Sequence, residues 1–155
     1  MNYFHFWQKW ILVVGIYLVV FGLFLTFFSQ SSLMNVLFNN QIDPHFWTDS
    51  KLPENTFRFQ GWIYGVLGAV IAGWGTLIAF WAYYPFKTGE KWAWNGLAFG
   101  TGIWYCADTT ISALYGVTFN IVFNTIMLVL LAAPLVFSRK YFSKIQKGQG
   151  RPSYS

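Results

Sequence analysis

Thr101, Tyr105, Asp108, Ser112 and Tyr115 recur at intervals of three or four residues within the apolar run "GLAFGTGIWYCADTTISALYG", so a helix there carries all of them on one face. A carboxyl group set among hydroxyls in such a helix can hold a proton, grip the polar part of a ligand, or tie helices together. Past Gly116, Asn120 and Asn124 stand one helical turn apart. At 1.5 Å per residue, Asp108 and Asn124 each lie about 10 Å from that turn, so their side chains are expected to meet. The segment "FRFQGWIYG" approaches from the same side and brings Arg58, Gln60 and Tyr64. The candidate polar pocket therefore consists of Asp108, Asn124, Asn120, Tyr105, Ser112, Tyr64, Gln60 and Arg58.

An ionised aspartate near mid-bilayer costs about 2.5–3.5 kcal/mol on insertion scales, so Asp108 is expected to face inward and be paired, hydrogen-bonded or protonated. Arg58 is the nearest candidate cation, and the asparagine amides are candidate donors. His45, between Asp43 and Asp49 in "IDPHFWTDS", is a second candidate, either a pH-responsive or general-base group above the pocket, one ligand of a surface metal site, or a solvated loop residue. The chain has no HExxH, GxSxG, phosphate-loop or dinucleotide signature, and no catalytic residue is assigned. Its single cysteine, Cys106, supplies neither a disulfide nor a CxxC pair, and reads as a small packing residue; no metal site or cofactor is indicated.

The elements that must hold these residues are membrane helices. The composition is 55% hydrophobic and only 10% charged, far below the roughly one-quarter charged typical of soluble domains. A hydrocarbon core about 30 Å thick needs roughly 20 apolar residues in a helix. Four segments meet that, at about 10–28, 61–84, 94–115 and 117–137, giving an all-α integral membrane four-helix bundle within residues 1–142. A basic tail containing Gly, Pro and Ser follows at 143–155. "YGV" leaves room only for a tight turn at Gly116, so the last two spans form a hairpin. Pro134 is expected to kink the last span by freeing the carbonyl near Leu130, and Tyr84 and Pro85 to end the second.

With both termini in the cytoplasm, eight Lys and Arg residues lie inside and only Lys51 and Arg58 outside, a positive-inside bias. The net charge of +5 thus reflects topology rather than nucleic-acid binding. The 29–60 segment is then an outer loop, expected to cap the bundle, with "SSLMNVLFNN" as a short helix started by Ser31 or Ser32. On the second span Gly61, Gly65, Gly68, Ala72, Gly75, Ala79 and Ala82 alternate spacings of four and three. That smooth stripe lets another helix approach closely, either the first or third span or a second copy of the chain.

The runs "FQGWIYGVLGAVIAGWG", "EKWAWNGLAFGTGIWYCADTTISALYGVTFN" and "APLVFSRK" resemble small four-helix bacterial membrane proteins that carry no assigned activity, over residues 57–140. The resemblance implies the bacterial inner (plasma) membrane and transfers no chemistry. The architecture is also similar to sterol-isomerase-like bundles, in which acids and tryptophans line a lipid pocket; this chain departs from them by offering one intramembrane acid. The expected function is binding of a lipidic or hydrophobic ligand, or service as an accessory subunit of a homo-oligomer or larger membrane assembly. The alternative is a small membrane enzyme or proton-coupled transporter using Asp108.

Overall fold

The computed structural model describes residues 3–47 and 52–149, with the side chains of 143–149 left out. Lys51, Asp49 and Arg151, and the end of the tail from residue 150, lie outside the described residues, as do the side chains of Lys144 and Lys147. The described chain is helical, without a strand. Four long helices dominate: α1 (Tyr3–Phe28), α2 (Glu54–Trp81), α3 (Lys91–Leu114) and α4 (Thr118–Gln149).

Three of these stretches, Tyr3–Phe28, Glu54–Phe86 and Thr118–Phe142, are long and apolar enough to cross a membrane. Only 33%, 22% and 33% of their apolar windows are buried inside the protein, so their hydropathy is not spent on an internal core. Val13, Val20, Phe27, Val70, Val129 and Val136 all point outward. The expectation of four spans meets a difference at α3. It is long enough, but Asn95, Thr101, Asp108, Thr109, Thr110 and Ser112 lower its mean hydropathy, and it does not join the other three.

The glycine stripe of α2 turns to α1 along its whole length. A Cβ on Gly68 would lie 2.5 Å from the Gly22 carbonyl oxygen, one on Gly75 2.7 Å from the Val19 nitrogen, and one on Gly15 2.7 Å from the Ala79 nitrogen. The two antiparallel backbones therefore touch, which only small residues permit. Further along, Gln8 Nε2 donates to the Ala82 carbonyl at 3.0 Å. That carbonyl belongs to a wide helical turn, Ala82–Phe86, which carries the chain through Pro85 rather than ending at Tyr84. Beyond it Phe86 is fully buried against Phe4 and Phe142, closing this end of the protein.

The α3–α4 hairpin closes at the opposite end as the spacing predicts. Gly116 takes φ 72°, and the Val117 amide reaches back to the Ser112 carbonyl at 2.9 Å, the bond that seals a helix end over a left-handed glycine. Pro134 is fully buried, and the carbonyl it frees is not left empty, because Trp10 Nε1 donates to Leu130 O at 3.0 Å. Trp94 Nε1 donates to Leu135 O, one residue past the proline, at 2.8 Å. The proline thus opens a docking point for the Trp10 indole of α1, which accounts for its position without any motion.

α4 also packs on α1, whereas α2 and α3 approach each other far less along their backbones. Indoles span the gap between them, with Trp74 and Trp104 at 5.3 Å between ring centroids and Trp81 lying over Gly96. Gly68→Ala is expected to destabilise the detergent-solubilised protein by about 1–3 kcal/mol through overpacking. Gly73→Ala, where a Cβ meets nothing within 4 Å, is the matched control, and equal unfolding temperatures for the two variants would show that α1 and α2 are not in backbone contact.

Candidate functional site

Where α2 and α3 separate, the helices enclose a cavity of about 150 Å³ at the end bearing Gly116. α1 contributes Leu18, Phe21 and Leu25 as an apolar back wall. The segment after α1 supplies the roof. Ser31 accepts from the Met34 amide at 3.3 Å, starting the helical turn Ser32–Met34 as the cap residue the sequence suggests. Helical turns continue through Ile42, and Asn39, 3% exposed, donates to Asn35 Oδ1 at 2.7 Å and to the Ser29 carbonyl at 3.5 Å. These bonds turn Met34, Phe38 and Ile42 down into the cavity.

One wall is polar. Asn120 Nδ2 donates to Asp108 Oδ1 at 2.8 Å and to Ser112 Oγ at 2.7 Å. Ser112 Oγ in turn donates to the Asp108 carbonyl at 2.7 Å and lies 3.3 Å from its Oδ1. The carboxyl is therefore tied through one oxygen, and no protein donor among the described residues reaches the other. Asn124, 2% exposed, lines the same wall with an Nδ2 that has no partner. A buried amide left in this state costs about 1–3 kcal/mol.

Of the residues expected to form the pocket, Asp108, Asn120, Asn124 and Tyr64 line the cavity together. Ser112 braces Asp108 from behind. The expected Asp108–Asn124 contact is replaced by Asp108–Asn120, because Ser112 offers Asn120 a second acceptor on the same face and one amide serves both oxygens. Tyr105 turns away to Thr125 Oγ1 at 3.4 Å and does not line the cavity. Arg58 is exposed and pairs with nothing among the described residues; Gln60 is buried, and residues two apart on a helix point to different sides. His45 is exposed at the end of the Asp43–His45 turn, and Cys106 lies on the open outer face of α3 rather than in packing. Among the described residues no cluster of His, Cys, Asp or Glu could hold a metal ion.

Two features escaped sequence reasoning. Trp74 and Trp104 close the side of the cavity, although tryptophan spacing alone gives no hint that these two of nine would face each other. Asp43 is drawn into the roof, where Gln60 Nε2 donates to its Oδ1 at 2.6 Å, and the Tyr64 hydroxyl stands within reach of the same pair. A Pro-containing loop beside a helix start offers no signal for that docking.

Compared with known protein families, curated proteins and solved structures, the chain matches none of them, so its function is argued from the site.

Burial pushes the Asp43 carboxyl above its ordinary range, and the Gln60 hydrogen bond only partly opposes this. Since the folded carboxyl holds its proton to higher pH than the unfolded one, the associated stability is complete below the ordinary carboxylate pKa and is lost as pH rises through the folded value. Asp43→Asn keeps an acceptor for Gln60 but removes that titration. Thermal unfolding across the acid range is expected to show a smaller loss of stability with rising pH in the variant; identical slopes would mean that Asp43 is solvated.

Proposed function

We propose that this chain is a small integral membrane protein that crosses the bacterial inner membrane four times and binds a lipidic or hydrophobic ligand in the cavity beneath its 29–60 cap. The observation that carries this reading is the cavity itself, apolar on most sides and polar on one, with the buried Asn124 amide unpartnered in its wall. Trp7, Asn39 and Thr109 also hold a buried polar atom without a partner, but of these four described residues only Asn124 lines the cavity. An amide kept without one fits a site completed by something else.

In this reading α3 crosses the bilayer despite its polar stripe, because Asp108, Thr101 and Ser112 are turned towards other helices and its outward residues, Phe99, Ile103, Ile111 and Leu114, are apolar. The basic residues set the orientation, with both termini cytoplasmic and the cap outside. Reporter fusions after Phe38 and after Ser155 are expected to report opposite sides of the membrane. Agreement between them would overturn this topology.

The ligand reading is tested by native mass spectrometry of gently extracted protein, expected to show a bound hydrophobic mass on the wild type. Asn124→Leu replaces the orphan amide with an apolar group of similar size, so the empty protein is expected to become more stable by about 1 kcal/mol while losing that mass. A bare wild-type chain, or an Asn124→Leu variant that keeps its ligand, would sink the reading. A larger protein mass in place of a small one would support an accessory subunit instead, and a small enzyme or proton-coupled transporter predicts that Asp108→Asn keeps fold and ligand but loses turnover or transport.

A further inference from the structure

The cavity is too small for a whole hydrophobic ligand. Pockets that enclose a drug-sized molecule hold about 300–1,000 Å³, and this one holds about 150 Å³. Whatever enters must leave most of itself outside. A wall with little backbone packing is the seam between α2 and α3. Running along it, from the cavity towards the opposite end, is a second hollow of about 130 Å³ lined by Trp74, Leu77, Trp81, Gly96 and Gly100. Trp74 borders both spaces. Gly100 leaves its floor bare, since a Cβ there would meet nothing within 4 Å.

The polar wall restricts the head of such a ligand. Asn124 Nδ2 needs an acceptor, and the free oxygen of Asp108 accepts but does not donate while ionised. A hydroxyl group satisfies both, because it donates and accepts at once. An ammonium head could pair with Asp108 but would leave Asn124 unanswered. A carboxylate or phosphate head would face Asp108 with no cation beside it, as no Lys, Arg or His among the described residues lines the cavity.

Building on the ligand-binding reading above, we propose that the cavity takes the hydroxyl head of a single-chain lipid alcohol, whose hydrocarbon chain leaves past Trp74 and lies in the α2–α3 seam over Gly100. From Trp104 to Gly96 the seam runs about 12 Å along α3, two helical turns, so a short alcohol would not fill it. The head reaches its site sideways from the hydrocarbon once Trp74 swings away from Trp104, and the roof need not open.

The test uses the full-length protein in phosphatidylcholine nanodiscs and hexadecanol carrying a photoreactive diazirine in mid-chain. Label is expected on the α2 and α3 peptides that flank the seam, and unlabelled hexadecanol is expected to compete about tenfold better than palmitate or hexadecylamine, the worth of roughly one hydrogen bond. Gly100→Phe starts a ring from a position where a Cβ meets nothing within 4 Å, and is expected to fill the seam and lower labelling by about the same factor at an unchanged unfolding temperature. Labelling that ignores Gly100→Phe overturns the seam, and equal or better competition by the acid or the amine overturns the hydroxyl head. If hexadecanol neither labels nor competes while extracted protein still carries a small hydrophobic mass, this inference fails and the cavity reading stands. A bare chain with no labelling ends both.

Discussion

The contact on which the rest of the structure depends is the meeting of two backbones, α1 and α2, at Gly15, Gly22, Gly68 and Gly75. In lipid, helices gain little from excluding solvent, and association rests on close packing of this kind. Because the whole small-residue stripe of α2 is committed to α1, the side of α2 that faces α3 carries Trp74, Leu77 and Trp81 instead. Large rings hold those two helices apart. The cavity and its seam follow from one helix having a smooth face and a bulky face, and from the smooth one being already occupied.

The polar wall obeys a different rule. α3 and α4 are joined by a turn too short for any other arrangement, so residues within about two turns of Gly116 on either side are brought together. That places an acid, a serine and two asparagines in one patch, and a buried polar group without a partner is costly. Asn120 resolves most of this by serving Asp108 and Ser112 together. It leaves Asn124 over. A hydrogen-bond network with one member in surplus is a source of instability in an empty protein and a source of affinity in an occupied one.

Local features were legible in the sequence because each rests on a single residue's chemistry. Ser31 caps a helix because its hydroxyl can reach an amide three residues on, and Gly116 turns because it accepts a positive φ. The period of the small-residue stripe and of the Thr101–Tyr115 polar face told which residues share a side. What period cannot tell is the direction in which a side points. The stripe served α1 or α3 equally well on paper, Tyr105 shares a face with Asp108 yet leans to Thr125, and the choice of Asn120 over Asn124 depends on Ser112 standing nearby. Arg58 seemed near Asp108 only when distance was counted along the membrane normal; around the helix it lies on another side from Gln60. Asp43 and Trp104 were invisible as site residues because their roles arise from elements distant in sequence, Gln60 for one and Trp74 for the other.

The walls of the cavity differ in what it would take to move them. α1 and α2 are locked by backbone contact, and α4 is pinned to α1 and α3 by the two indoles on the carbonyls around Pro134. The roof hangs on side-chain hydrogen bonds, Gln60 to Asp43 and Gln30 to the Phe57 carbonyl, and each bond of this kind contributes only about 0.5–1.5 kcal/mol. The seam has little backbone packing to lose, and its main obstacle is the rotation of Trp74 against Trp104. For a ligand delivered from water the roof would be the weak point, and opening it would expose Met34 and Phe38. For a ligand already dissolved in hydrocarbon the seam exposes nothing that lipid does not already wet. Under the ligand proposed above, the ordering of these costs agrees with the cavity wall in favouring an apolar chain with a small polar end that arrives from the bilayer.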